Sequence, residues 1–367
     1  MSRKKIAIVY DWVDKMGGVE RLLEYLFSLF PDADLLTSTH SPEARWATGK
    51  RIIPSFMHYL PQFIRKNRVL SLPFYPFAFE SFDLRGYSAV ISVSSSFSKG
   101  VITRPETPHV NIMLTPPRWL WDLSKEYRNS GFLNAAGAPL AAALRRWDYL
   151  AAQRPDKILA ISRLVAARCR KHYGRDATVV YPPFDTKRWA SLRRENFRFP
   201  KPYFLVVSRL EPYKAVEIAI QAFAKLPERH LVIVGTGSLE TKLRKMAGPN
   251  VTFLGTVRDE QLGGIYAEAQ GLLMLQEEDF GYTALEALFF QCPVLSFRQS
   301  GAAEIIEDGK TGMLIPDRAP DTVSAAIERF ANVPYNVSTR REAILRRFSP
   351  GVFRAHIMNA LAINSTL

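Results

Sequence analysis

Lys4-Lys5-Ile6-Ala7-Ile8-Val9-Tyr10, a loop closing on Gly17-Gly18, and then Val19 to Phe30 with apolar residues at helical spacing form the stretch that decides the fold. A short unbroken apolar run reads as a parallel strand covered on both faces. The glycine turn into an amphipathic helix completes a strand, turn, helix unit. Working outward, further apolar strands are expected at Ala89–Val93, Val110–Met113, Lys157–Ile161 and Thr178–Tyr181, with helices at Leu144–Gln153 and Arg163–Tyr173. Tyr181-Pro182-Pro183 breaks the pattern, since proline fixes φ and cannot donate to a helix or a ladder. Beyond it the alternation restarts, with strands expected at Tyr203–Ser208, Leu231–Gly235, Val251–Leu254, Gly271–Leu275 and Val294–Ser296 and helices such as Val216–Ala224 and Thr283–Phe290. Alternation of this kind predicts an α/β protein of two doubly wound Rossmann-like domains, residues 1–182 and 183–348, facing each other across a cleft. A terminal helix at Pro350–Ala362, within residues 349–367, is expected to pack back on the first domain.

The length of 367 residues and a hydrophobic fraction of 47% suit two packed cores. The apolar run after the basic start stops at Asp11, too short for a signal peptide, and no stretch of about 18 apolar residues is unbroken. A cytoplasmic protein is therefore expected. Cys169 and Cys292 have no partners at zinc spacing and read as small core or surface residues. The net charge of +14 is uneven, with 26 Lys/Arg against 15 Asp/Glu in residues 1–180 and 23 against 20 in 181–367. A basic first half suits an anionic partner, and the absence of any nucleic-acid motif turns that partner away from nucleic acid toward anionic lipid or a phosphorylated substrate. Between Phe56 and Phe79, aromatics and leucines alternate with Arg65, Lys66 and Arg68. That segment is a poor regular helix and reads either as an interfacial surface toward an anionic membrane or as core.

The chemistry concentrates in loops that follow strands. Glu278 lies in the loop after the strand ending at Leu275, and Glu286 lies eight residues on, inside the helix that the loop opens. Amides around Phe280, Gly281, Tyr282 and Thr283 at that helix start suit a diphosphate, and carboxylates suit sugar hydroxyls. Arg209 and Lys214, after the first strand of the second domain, can clamp a leaving nucleotide diphosphate and so replace a metal ion; no Asp-x-Asp motif is present. No metal and no cofactor are expected. Gly235-Thr236-Gly237 fails the dinucleotide fingerprint at Glu240 and reads as a tight turn near the donor, while Gly17 and Gly18 read either as a simple turn or as a place where backbone amides come close to a phosphate or a sugar. His109 reads as structural.

In order and spacing, Gly17-Gly18-Val19-Glu20, Ser208 to Lys214, Phe253 to Val257, Glu278 to Glu286 and Gly301-Ala302-Ala303-Glu304 resemble glycosyltransferase family 4, of GT-B fold. Thr115 to Asp122, Tyr181 to Asp185, Arg209 to Lys214 and Glu278 to Gly281 resemble, within it, the bacterial mannosyltransferases that build O-antigens and exopolysaccharides. The resemblance implies a retaining hexosyltransferase with GDP-mannose as donor and a lipid-linked or polysaccharide-precursor glycan as acceptor. It places Arg209 and Lys214 on the diphosphate, Glu286 on the ribose, Val257 and Arg258 beside the base, and Glu278 with the Phe280–Thr283 backbone on the donor sugar. Arg118, Trp119 and Asp122 fall on the acceptor side with Arg65, Lys66 and Arg68. This chain departs from the branch at Leu114 and Ser96, where histidines are usual, and near Ser300-Gly301-Ala302, where Gly-Gly-Ala is usual. A second reading follows from the two lost histidines: a non-catalytic binding or assembly subunit.

Overall fold

A computed structural model describes residues 5–14, 17–122, 138–192 and 201–362, and at Arg45, Arg68 and Ala362 the backbone alone. The chain divides into two units, Met1–Pro183 with Phe353–Leu367, and Phe184–Val352.

In the first unit, β1 (Lys5–Tyr10), β2 (Asp34–Thr37), β3 (Ile52–Pro54), β4 (Tyr87–Ser94), β5 (His109–Met113), β6 (Lys157–Ala160) and β7 (Thr178–Val179) form one sheet in the order β3-β2-β1-β4-β5-β6-β7. Every neighbouring pair is parallel, with Ile8 opposite Leu35 on one side and Ile91 on the other. Ala7, Ile8 and Val9 have no exposure, which is why β1 is apolar at successive positions from Ile6 to Val9 rather than at alternate ones. The strand order reverses between β1 and β4, and a buried carboxylate holds the loops together there. Asp11 accepts the amides of Ser95, Ser96, Phe97 and Ser98 at 2.7 to 2.9 Å, binding the turn after β4 to the end of β1.

The second unit repeats the plan with β8 (Tyr203–Val207), β9 (His230–Val234), β10 (Val251–Gly255), β11 (Gly271–Met274), β12 (Val294–Phe297) and β13 (Gly312–Ile315), in the order β10-β9-β8-β11-β12-β13. All pairs are again parallel. The helices Val216–Ala224 and Pro320–Ala331 cover one face, where Phe204, Phe223, Leu231 and Phe330 are buried together. Here the order reverses between β8 and β11, the place where open parallel sheets receive ligands beyond their carboxyl ends.

The helix Pro350–Ala362 starts in the second unit, and from Phe353 onward it counts with the first. Phe353 meets Tyr25 edge to face at 5.7 Å, and Lys157 Nζ donates to the Ala360 carbonyl at 3.1 Å. Among the described residues no helix is long and apolar enough to cross a membrane.

Between Phe56 and Phe79 the chain forms short helices at Gln62–Lys66, Arg68–Ser71 and Tyr75–Glu80, joined by 3₁₀ turns. Its apolar residues divide between two environments. Met57, Leu72, Tyr75, Ala78 and Phe79 enter the core, whereas Tyr59, Phe63 and Phe77 stand 78%, 69% and 65% exposed. Arg65 and Lys66 are exposed beside them, and the Arg68 side chain lies outside the described residues.

Candidate functional site

The loops after β8 and β11 flank the reversal of strand order in the second unit, and they carry most of the donor-site residues expected from sequence. Ser208 to Lys214 follows β8 and ends in the 3₁₀ turn Pro212–Lys214. Ala215 then takes φ +53°, a left-handed conformation that an alanine adopts only at a cost of about 1–2 kcal/mol. That reversal starts the helix Val216–Ala224 and leaves Lys214 at the lip of the turn.

Lys214 Nζ donates to Glu278 Oε1 of the loop after β11, and the two side chains are 15% and 22% exposed. The same Oε1 accepts Gln276 Nε2 at 2.9 Å. The backbone of Glu278 is held as well: its amide donates to Ser300 Oγ at 3.1 Å and its carbonyl accepts the Gly301 amide at 2.7 Å. A Cβ on Gly301 would stand 2.3 Å from the Asp279 carbonyl oxygen, so only glycine lets the Gly301–Glu304 turn lie this close under the Glu278 loop. The role of Gly301-Ala302-Ala303-Glu304 in this unit is thus to support that loop.

Arg209 is exposed, donates to the Tyr213 hydroxyl at 2.6 Å and lies over the Tyr213 ring, while Lys214 approaches the same ring at 5.3 Å. Tyr213 therefore spaces the two cations, a part that charge alone did not suggest. The helix Tyr282–Phe289 begins directly after Gly281, whose φ of +107° turns the chain into it. Phe280 is buried against Tyr282 and Phe348, and Thr283 is half-buried. Glu286, one turn inside, is 4% exposed and accepts the Tyr266 hydroxyl at 3.1 Å.

Gly235, after β9, is a packing requirement. A Cβ there would lie 1.9 Å from the Ser208 carbonyl oxygen, and one on Gly237 2.5 Å from that of Leu210. The two loops cross in contact, with the Leu210 amide donating to the Thr236 carbonyl at 3.0 Å. Val257 is half-buried, and Arg258 precedes the helix Asp259–Glu268 with its amide donating to Gln261 Oε1 at 3.1 Å and its side chain exposed.

Gly17 and Gly18 belong to the first unit, at the start of the helix Gly18–Leu29. Glu20 in its first turn accepts the Tyr10 hydroxyl at 3.1 Å, and burial followed by the Glu20 charge raises the Tyr10 pKa well above its usual value. Asp122 is engaged within this unit by Arg168 at 3.3 Å, Lys171 at 3.1 Å and His172 Nε2 at 2.9 Å. Burial pushes its carboxyl up, but Lys171, His172 and Arg168 outweigh this and hold it below the usual range. Trp119 is half-buried 6.4 Å from Phe97, and Arg118 is half-buried beside it.

His109 sits in β5 with no exposure and shares a 2.7 Å hydrogen bond with Ser92, its pKa lowered by burial to about 3. Leu114 and Ser96 are buried. Both cysteines are buried, with thiol pKa values pushed by burial to about 12. Among the described residues no three His, Cys, Asp or Glu side chains are grouped to hold a metal ion.

Residues 187–344 match the family model for glycosyl transferases group 1. Sulfoquinovosyl transferase SQD2 of Arabidopsis thaliana is 28% identical over 213 residues, which cover 57% of this chain and 36% of that protein. The GDP-mannose-dependent alpha-(1-6)-phosphatidylinositol monomannoside mannosyltransferase of Mycobacterium tuberculosis is 29% identical over 198 residues, 47% of this chain and 51% of the relative. The chain thus matches between about a third and a half of the length of these relatives. Among solved structures, sucrose-phosphate synthase from Thermosynechococcus elongatus aligns over 97% of this chain and 98% of its own with a TM-score of 0.72 at 18% identity, a likeness of fold. Residues 187–344 are accordingly similar to glycosyl transferases group 1, in a chain whose two Rossmann-like units have the GT-B fold.

Proposed function

We propose that this chain is a retaining, metal-independent glycosyltransferase that takes mannose from GDP-mannose and passes it to a lipid-linked or polysaccharide-precursor glycan. The observation that carries the reading is the meeting of Lys214 and Glu278 where the strand order of the second unit reverses. Departure of a nucleoside diphosphate needs cations at the phosphates, and the sugar left behind gathers positive charge that a carboxylate stabilises. Lys214 and Arg209 serve the first need. Glu278 serves the second while it orients the sugar hydroxyls with the Phe280–Thr283 backbone, and Glu286 takes the ribose. The oxygen of the departing phosphate, on the same face as the acceptor, receives the acceptor proton. Mannose is supported by the motifs shared with the mannosyltransferase branch and by the GDP-mannose-dependent relative.

The acceptor side is read as a membrane-facing surface. Exposed Phe56, Tyr59, Phe63, Leu70 and Phe77 lie in one short segment with exposed Arg65 and Lys66, which suits a peripheral protein on the inner, anionic face of the cytoplasmic membrane.

A thermal-shift panel of GDP, UDP, ADP and their sugars, followed by a transfer assay with the ligand that stabilises most, tests the donor. Stabilisation by GDP-mannose above the others and release of GDP on transfer are expected. Stabilisation by UDP-sugars alone overturns the donor. A protein that binds the donor and never turns it over supports instead the binding subunit, the reading that Leu114 and Ser96 favour.

A further inference from the structure

We infer that Gln276 is the positioning residue for Glu278, holding its carboxylate in place when a donor diphosphate draws Lys214 away. The inference rests on the glycosyl-transfer reading above. Gln276 and Lys214 both donate to Oε1 of Glu278, so this one oxygen carries an amide and an ammonium together. The two donors differ in what a ligand does to them. Lys214, on the loop after β8, is the cation that a diphosphate would engage, and a phosphate dianion competes directly with one carboxylate for it. Gln276 is 5% exposed on the same loop as Glu278 and two residues before it, and its neutral amide has little to gain from a phosphate. As Lys214 swings to the phosphates, Oε1 keeps a hydrogen bond and its direction. Without Gln276 that oxygen loses a donor that stays in place when Lys214 moves, and its direction is less well fixed.

This assigns a function to a polar side chain that the sequence pattern left unmarked. A buried glutamine beside the end of β11 is costly unless its amide is used, and its Nε2 is used on Glu278.

The test uses the full-length chain with Gln276→Leu and the isosteric Gln276→Glu. Isothermal titration with GDP checks both folding and the Lys214 site, and Gln276→Leu is expected to stay within about threefold of wild type there. Its kcat for sugar transfer is expected to fall about 10-fold or more with little change in KM, the mark of an interaction needed in the transition state. The same substitution on a Glu278→Gln background is expected to add little, because its effect runs through that carboxylate. In Gln276→Glu two carboxyls share one site, so the pair retains a proton to higher pH than either would alone. The protonated carboxyl can donate to Oε1, and activity relative to wild type is expected to recover on acidification, a response that a packing role would not give. Wild-type kcat in a folded Gln276→Leu, or a loss that persists in full on the Glu278→Gln background, overturns the inference and leaves the proposed activity standing. A wild-type protein that binds no nucleoside diphosphate overturns both.

Discussion

Lys214 and Glu278 come from different loops and neutralise one another at the mouth of the second sheet. Each is therefore the other's competitor for a ligand. On the proposed reading Lys214→Ala would remove a charge-assisted contact to the diphosphate, and it is expected to weaken GDP binding roughly 10- to 100-fold. Glu286→Ala is expected to weaken it too. Glu278→Gln releases the lysine from a carboxylate, so GDP binding should hold or tighten while turnover falls, on the order of 100-fold. Calorimetry with GDP beside steady-state transfer rates separates the two effects, and unchanged turnover in Glu278→Gln would remove its catalytic assignment.

Two cations at the phosphate side also bear on metal dependence. On the proposed reading Arg209 and Lys214, both in contact with Tyr213, take the part that a divalent ion would otherwise play. Transfer is expected to continue in excess EDTA, and strict dependence on Mg²⁺ or Mn²⁺ would contradict the arrangement.

Gly235→Ala tests the crossing of the loops after β8 and β9. The glycine has φ +127° and a Cβ would enter the Ser208 carbonyl, so both backbone strain and overlap act at once. A loss of about 2–4 kcal/mol in urea unfolding is expected, along with weaker GDP binding as the Lys214 loop shifts. A melting curve like that of wild type would mean that the loops part easily.

His109 should make the protein acid-sensitive. Its folded pKa of about 3, set first by burial and then by Arg154, lies below the ordinary value of 6.5, so the folded state favours the neutral ring. This contribution is complete above the unfolded pKa and is lost as the pH falls from there toward the folded one. Within that window the unfolded chain binds one more proton, and stability drops by about 1.4 kcal/mol per pH unit. Urea midpoints from pH 8 to pH 4 are expected to show a slope reduced by up to one proton in His109→Gln, whatever the substitution does to absolute stability.

Flotation with liposomes tests the first unit. Each basic group near an anionic surface contributes roughly 1 kcal/mol, so on the proposed reading Arg65, Lys66 and Arg68 with one or two inserted aromatics would give weak, salt-sensitive docking. Wild type is expected to float with anionic vesicles at low salt and to sediment at high salt, with the triple alanine variant failing in both. Binding indifferent to lipid charge would refute this surface.

The strands that sequence reveals are those buried on both faces, since the central parts of β1, β4, β8 and β11 carry runs of apolar residues broken at most by a small serine. β2 and β3 escape notice because Asp34 starts one and Pro54 ends the other, and at three or four residues neither has room for a pattern. Asp34 is tolerated there because Lys5 and the Tyr87 hydroxyl meet its carboxylate. The pairing of Lys214 with Glu278 was approachable from sequence because each is a charge that follows a strand. The neutral neighbours that hold these charges gave no such signal. Tyr213, Gln276 and Ser300 act through geometry that only the crossing of loops creates. The aromatic segment from Phe56 to Phe79 was ambiguous because its apolar residues divide, some buried in the core and others exposed to solvent.

The route of the chain also sets an order of events during synthesis. Unit 2 is one continuous piece, Phe184–Val352, whereas unit 1 is written in two pieces that bracket it. Phe353 and Ile357, 1% and 0% exposed, belong to the later piece. The first 183 residues therefore leave the ribosome lacking side chains that their finished fold buries, and they wait for them while the whole of the second unit is translated. The unit that begins first is completed last.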